Sequence, residues 1–187
     1  VVHWNLSRRS FVRRGPDHVM KLRYTSLQFD AGTSELAHPD LPETLDEIVV
    51  VVCLVHSQVA VVAATIHHLD PTLRVSYVMT DGAALPLALS DLVWNLTTTG
   101  ALCGTVSAGH AFGGDLEAVT TASALLLARH VQGADVVIVG MGPGVVGTGT
   151  RYGASAVDAA AALDTAAALG GRPVLCVRAS DGDGRER

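Results

Sequence analysis

"IVVVVCLV" (residues 48–55) is the stretch on which the fold turns. Eight successive apolar residues, most of them β-branched, show no alternation with polar ones. A strand with one wet face alternates, so an unbroken run of this length reads as a strand covered on both sides. It is also far shorter than the ~18 apolar residues that cross a bilayer.

Outward from that run the chain alternates two signals. Further strand-like runs stand at 74–79 ("RVSYVM"), 103–108 ("CGTVSA"), 135–140 ("DVVIVG") and 173–178 ("PVLCVR"). Helical patterns fill 57–69, 86–99, 115–131 and 154–169 between them. Pro86 suits a first turn, Asp115 can cap the third helix, and "SAVD" (155–158) reads as a cap for the fourth. Gly133 and "GG" (170–171) supply the stops. Ser57 reads as the cap of the first helix.

This alternation predicts an α/β domain: an open, mostly parallel, five-stranded Rossmann-like sheet with helices on both faces. The two most apolar runs, 48–55 and 135–140, belong at the centre. That suggests the strand order 3-2-1-4-5, with 2-1-3-4-5 as the competitor. Residues 1–45 read as a β-rich segment, the end of a larger β region, preceding an α/β domain over 46–187. The chain opens on Val1 rather than methionine, which reads as part of something longer.

Ligands of open parallel sheets bind outside the carboxyl ends of the strands. Polar and glycine residues gather there: "HSQ" (56–58), "TDG" (80–82), "GHAFGGD" (109–115), "GMGPGVVGTGTR" (140–151) and "ASDGDGRER" (179–187). In the fourth of these, Gly142, Gly144, Gly147 and Gly149 permit close backbone approach, so amides can converge on an anion. Thr148 and Thr150 add hydroxyls, and Arg151 adds a charge suited to phosphate or carboxylate. Gly142, Gly144 and Gly147 match G-x-G-x-x-G, but the next helix starts too late and Arg178 stands where a dinucleotide fold wants an acid. Thr148 and Gly149 replace the Lys and Ser/Thr of a nucleoside-triphosphate loop. A small anionic molecule is the expected ligand, and no cofactor is named.

Chemistry at this edge would fall to His56 or His110 as acid–base, with Asp81 or Asp115 orienting it. These four lie on separate loops without ligand spacing, so no metal site is assigned. "VHSQV" lacks the glycines of a nucleophile elbow. Two non-catalytic readings stand beside the enzyme: a binding or regulatory module, and a structural subunit. In the latter the alanine-rich helix 154–169 packs on a partner, a second copy included, and the glycines serve only the turn.

Composition bounds the rest. The chain has 187 residues, 49% hydrophobic and 17% charged, which suits one folded domain. Net charge is −5, and six of the 13 basic residues fall within 1–23 (Arg8, Arg9, Arg13, Arg14, Lys21, Arg23). The body is therefore acidic, which argues against nucleic acid as a partner. No apolar signal segment and no membrane span are visible. Cys53, Cys103 and Cys176 lack metal spacing and read as buried, reduced thiols of a cytoplasmic protein.

The segments "GPDHVMKLRYTSLQ" (15–28), "YVMTDGAALPLALSDLV" (77–93), "AGHAFGGDLEAV" (108–119), "GMGPGVVGTGTRYG" (140–153) and "ALGGRP" (168–173) together resemble a bacterial family known as domain of unknown function 3866. The resemblance spans nearly the whole chain and implies a bacterial, soluble α/β protein; it supplies no activity and no catalytic residue. After "GTGTRYG" its members continue with a short segment holding a glutamate and a glutamine, where this chain has "ASAVDAAAAL". They also run on past the equivalent of "RER" (185–187) into a basic, histidine-containing stretch.

Overall fold

A computed structural model describes residues 19–32, 34–80 and 85–184. Within it β1 (Met20–Lys21) and β2 (Phe29–Asp30) form a small antiparallel pair, followed by the four-residue helix α1 (Ser34–Ala37). The body then runs β3 (Val49–Cys53), α2 (Gln58–Leu69), β4 (Val75–Thr80), a 3-10 turn at Leu87–Leu89, α3 (Asp91–Thr98) and β5 (Gly104–Ala108). It continues with β6 (Leu116–Ala118), α4 (Thr121–His130), β7 (Val136–Met141), a 3-10 turn at Ser155–Asp158, α5 (Ala159–Ala168) and β8 (Arg172–Cys176).

The six strands β3–β8 form one parallel sheet in the order β6-β5-β4-β7-β3-β8. The period of two along β7 sorts its side chains: Val137 and Val139 face one layer and Ile138 the other. The first layer is α4 and α5, whose Leu125, Leu127, Ala162 and Ala166 pack with Val50, Val52 and Val78. The second is α2 and α3, whose Val59, Val62 and Val93 pack with Tyr77, Met79 and Ile138.

Two expectations about the sheet are corrected. It has six strands rather than five, because "LEA" (116–118) forms an edge strand where the sequence reads as the start of a helix. The runs 48–55 and 135–140 are neighbours, but their positions are exchanged: β7 lies between β4 and β3. All six residues of β7 are buried, whereas β3 is only partly so and lies beside β8, an exposed edge. The strand buried along its whole length takes the centre. The order also changes the crevices. The chain leaves β4 and β3 for helices on one face and leaves β7 for α5 on the other, so β7 has a switch point on each side. The glycine-rich loop starts between them.

Helix punctuation differs in three places. Thr120, not Asp115, caps α4, with a reciprocal bond to Ser123. Ser57 makes no side-chain cap; Gln58 instead reaches back, its Oε1 accepting from the amides of Leu54 (2.8 Å) and Val55 (3.1 Å). "SAVD" is a 3-10 turn without a side-chain cap, because Ser155 Oγ accepts from Val146 N at 3.1 Å. Gly133 and Gly170 follow α4 and α5 as the stops the sequence suggests.

The amino-terminal segment is keyed into the sheet. Glu117 N and Val119 N at edge strand β6 donate to Ser34 Oγ (3.0 Å) and Glu35 Oε1 (2.9 Å), which covers that edge. Lys21 is fully buried, and its Nζ donates to the carbonyls of Gly109 (2.6 Å) and Ala111 (2.8 Å). Glu117 Oε2, with no hydrogen bond among the described residues, lies 3.3 Å from that ammonium as an ion pair.

Candidate functional site

At the carboxyl end of β7 the loop Gly142–Ala154 folds back on itself. Gly147 bridges Ala154 in antiparallel fashion. Thr148 N donates to Gly153 O (2.6 Å), Ser155 N to Val146 O (2.8 Å) and Gly153 N to Thr150 O (3.3 Å). The hydroxyls of Thr148 and Thr150 bond each other at 2.8 Å, and Thr150 N donates to Thr148 Oγ1 at 3.2 Å. Five loop amides, those of Val146, Thr148, Thr150, Gly153 and Ser155, are thus consumed internally. Of the four glycines singled out in the sequence, only Gly144 has a positive φ, 110°. Its missing Cβ would face open space, so the backbone angle alone explains this glycine.

The charged part of the loop points elsewhere. Arg151 lines a cleft of about 300 Å³ together with Arg178, which lies just past the end of β8. Leu54, Val55, Val145 and Val157 give the cleft apolar walls, and Asp183 joins the lining, held in an interaction of its own. Among the described residues, two guanidiniums and one carboxylate leave the lining net positive. Neither arginine has an ion pair among the described residues, where the pairs found are Lys21 with Glu117 and Arg129 with Asp46. A second crevice, of about 240 Å³, lies on the α4–α5 face among Thr80, Thr121, Gly140 and Asp158. Among the described residues its lining holds an acid and no base.

His56 is 8% exposed and lies beneath the start of the glycine loop. Its Nδ1 is 3.1 Å from Met141 O and 3.2 Å from Tyr77 Oη, and its Nε2 is 2.6 Å from Ser90 Oγ. A carbonyl only accepts, so Nδ1 carries the hydrogen and Nε2 accepts from the Ser90 hydroxyl. Ser90 Oγ in turn accepts from Val93 N (3.1 Å) as the cap of α3. The result is a satisfied polar network joining the ends of β3 and β7 and the middle of β4 to α3. Its Ser–His–carbonyl sequence has the connectivity of a proton relay, but serine and imidazole are both buried and neither lines the arginine cleft.

Burial pushes the His56 pKa below its ordinary 6.5, with the Met141 carbonyl opposing. Above that pH both folded and unfolded chains hold a neutral imidazole, and the full stability is present. As pH falls below it, the unfolded chain takes up the proton first and stability is lost. Wild-type protein is therefore expected to lose more melting temperature between pH 7.5 and 5.5 than His56→Gln, and equal losses would contradict this environment.

The other candidates do not join His56. His110 follows β5, three strand spacings or about 14 Å from β3, and accepts from Arg23 Nη2 at 3.1 Å in a separate cleft of about 400 Å³. Asp115 lies at the amino end of β6, where its Oδ2 accepts from Thr105 N and Oγ1, both at 2.9 Å. That is the wrong edge of the sheet for the proposed chemistry. Asp81 lies outside the described residues. Among the described residues no three His, Cys, Asp or Glu side chains are grouped to hold a metal, and no helix is long and apolar enough to cross a membrane. Cys103 is exposed, against the expectation of burial, while Cys53 is buried and Cys176 half-buried.

The sequence reading missed Arg178, Ser90 and Tyr77. Arg178 carried a usable signal: like Arg151, it follows a strand into a carboxyl-edge loop. Ser90 and Tyr77 carried none, since their partners lie 34 and 21 residues from them in sequence at His56.

The chain belongs to the family described as protein of unknown function (DUF3866), whose model matches residues 1–187. No curated protein and no solved structure matches it.

Proposed function

We propose that this α/β domain binds a small anionic molecule in the cleft between the glycine-rich loop and the end of β8. The observation that carries the reading is that Arg151 and Arg178 line one cleft and have no ion-pair partner among the described residues. Two guanidiniums lining one cleft suit a phosphate or carboxylate, which each can grip through paired N–H donors. Apolar walls from Leu54, Val55, Val145 and Val157 favour a ligand with an apolar portion beside its charge. The anion is held by side chains, with the glycine loop shaping the wall, rather than by a nest of amides.

The experiment is a melting-shift series with inorganic phosphate, citrate, benzoate and a nucleoside monophosphate. A ligand at one hundred times its dissociation constant stabilises the native state by about 2.7 kcal/mol. Arg151→Ala and Arg178→Ala should each weaken the shift and together abolish it, while leaving the unliganded melt nearly unchanged, because exposed arginines contribute little to folding. No shift with any of the four would count against binding.

The internal bonding of the loop favours a second reading, in which the glycines only close a turn. It predicts that Gly144→Ala lowers stability by roughly 1 kcal/mol and that no anion moves the wild-type melt.

A further inference from the structure

β3 and β8 pair in register, and the last pair of their ladder is Cys53 opposite Cys176. Directly paired residues of neighbouring parallel strands project from the same face, and such strands lie about 4.8 Å apart. A disulfide accepts Cα separations of about 4.4–6.8 Å, so the two thiols stand within bridging range. Both belong to the same side of the sheet: Cys53 lies in the apolar cluster with Tyr77 and Met79, and Cys176 packs against it. Cys103 precedes β5, three strands from β3 and four from β8, and cannot join them.

The two thiols differ. Cys53 is 2% exposed; burial, and then the neighbouring Cys176, push its pKa up to about 12, so it stays protonated. Cys176 is half-buried on the edge strand, and Gln58 Nε2 donates to its Sγ at 3.2 Å. The same Nε2 donates to the Cys176 carbonyl at 2.9 Å, which fixes the end of the edge strand beside Cys53.

We propose that Cys53 and Cys176 form a redox-reactive pair that a peroxide converts to a disulfide. The Cys176 sulfur attacks one peroxide oxygen and the O–O bond breaks, giving a sulfenic acid and, with the thiol proton, one water. The Cys53 sulfur then attacks the sulfenic sulfur. The S–S bond forms, the S–O bond breaks, and hydroxide leaves with the Cys53 proton as the second water. Two thiols lose two electrons to one peroxide, and a dithiol reductant reverses the step by exchange. The accessible thiol thus reacts first and the buried one resolves it. The bridge ties the exposed edge strand to its neighbour β3.

The test uses the Cys103→Ser protein with a small excess of hydrogen peroxide, followed by intact mass and thiol counting. The expected result is a monomer lighter by two hydrogens, with both thiols lost, a peptide joining Cys53 to Cys176, and full reversal by dithiothreitol. Adding Cys53→Ala should leave Cys176 as a sulfenic acid that dimedone traps. The proposal is overturned if Cys103→Ser keeps both thiols, if Cys176 gains oxygen while Cys53 stays free, or if the bridge forms only between chains. Should Cys53→Ala fail to fold, the peptide map of Cys103→Ser decides by itself.

Discussion

Lys21→Ala is expected to destabilise the protein by about 3–5 kcal/mol, the range for breaking one partner out of a buried ion pair. The ammonium is fully buried and holds two carbonyls, Gly109 and Ala111, besides the Glu117 carboxylate. Removing it strands all three. Glu117 is the costly one, because its side chain is only 14% exposed and its other oxygen is already fixed by Gly113 N at 2.6 Å. Lys21→Met keeps the packing of the stem but not the charge and should remain strongly destabilised. Adding Glu117→Gln to Lys21→Met should recover part of the loss, since a neutral amide costs less to bury unpaired than a carboxylate. Urea unfolding of the four proteins measures this. A loss under about 1 kcal/mol for Lys21→Ala, below the range for such pairs, would place the ammonium in water and undo the docking of β1 on the sheet.

Tyr77→Ala should cost a similar 3–5 kcal/mol, here through lost packing and a cavity. The ring is fully buried on β4 among the side chains of the α2–α3 face. Its hydroxyl lies 3.1 Å from Gly140 O and 3.0 Å from Met141 O, the residues from which the glycine loop departs. Tyr77→Phe isolates that part. Met141 O keeps the His56 Nδ1 hydrogen, so the loss should fall near the low end of the ~1–3 kcal/mol for an unsatisfied buried group. Thermal and urea unfolding read both variants. Equal costs for Phe and Ala would mean that the hydroxyl, and not the ring, holds this part of the core.

What the sequence discloses and what it hides follow one physical division. Runs 48–55 and 135–140 announce themselves because burial on two faces leaves almost no polar residue in a strand. That pattern reports how deeply a strand is buried, not which strands flank it, so the exchange of β3 and β7 was out of reach. β6 escaped because three residues, "LEA", are too few to show a period and contain a good helix former. Lys21 reads only as one of the six basic residues within 1–23, since its partners lie 88 and 90 residues away. The glycine loop is legible as a turn, but composition cannot say that its amides close on one another. His56 is legible as a residue following a strongly apolar strand; that both its nitrogens are engaged depends on Tyr77, Ser90 and Met141.

The anion cleft can be tested at the two groups that define it. With the arginine side chains isotopically labelled, the Nε–Hε resonances of Arg151 and Arg178, assigned from the single alanine variants, can be followed as inorganic phosphate is added at constant ionic strength. Both signals should move together and saturate with one dissociation constant, and either alanine substitution should weaken the response of the remaining arginine. Resonances that stay in place, or that drift linearly along with those of other exposed arginines such as Arg172, would contradict a phosphate site between the glycine-rich loop and β8.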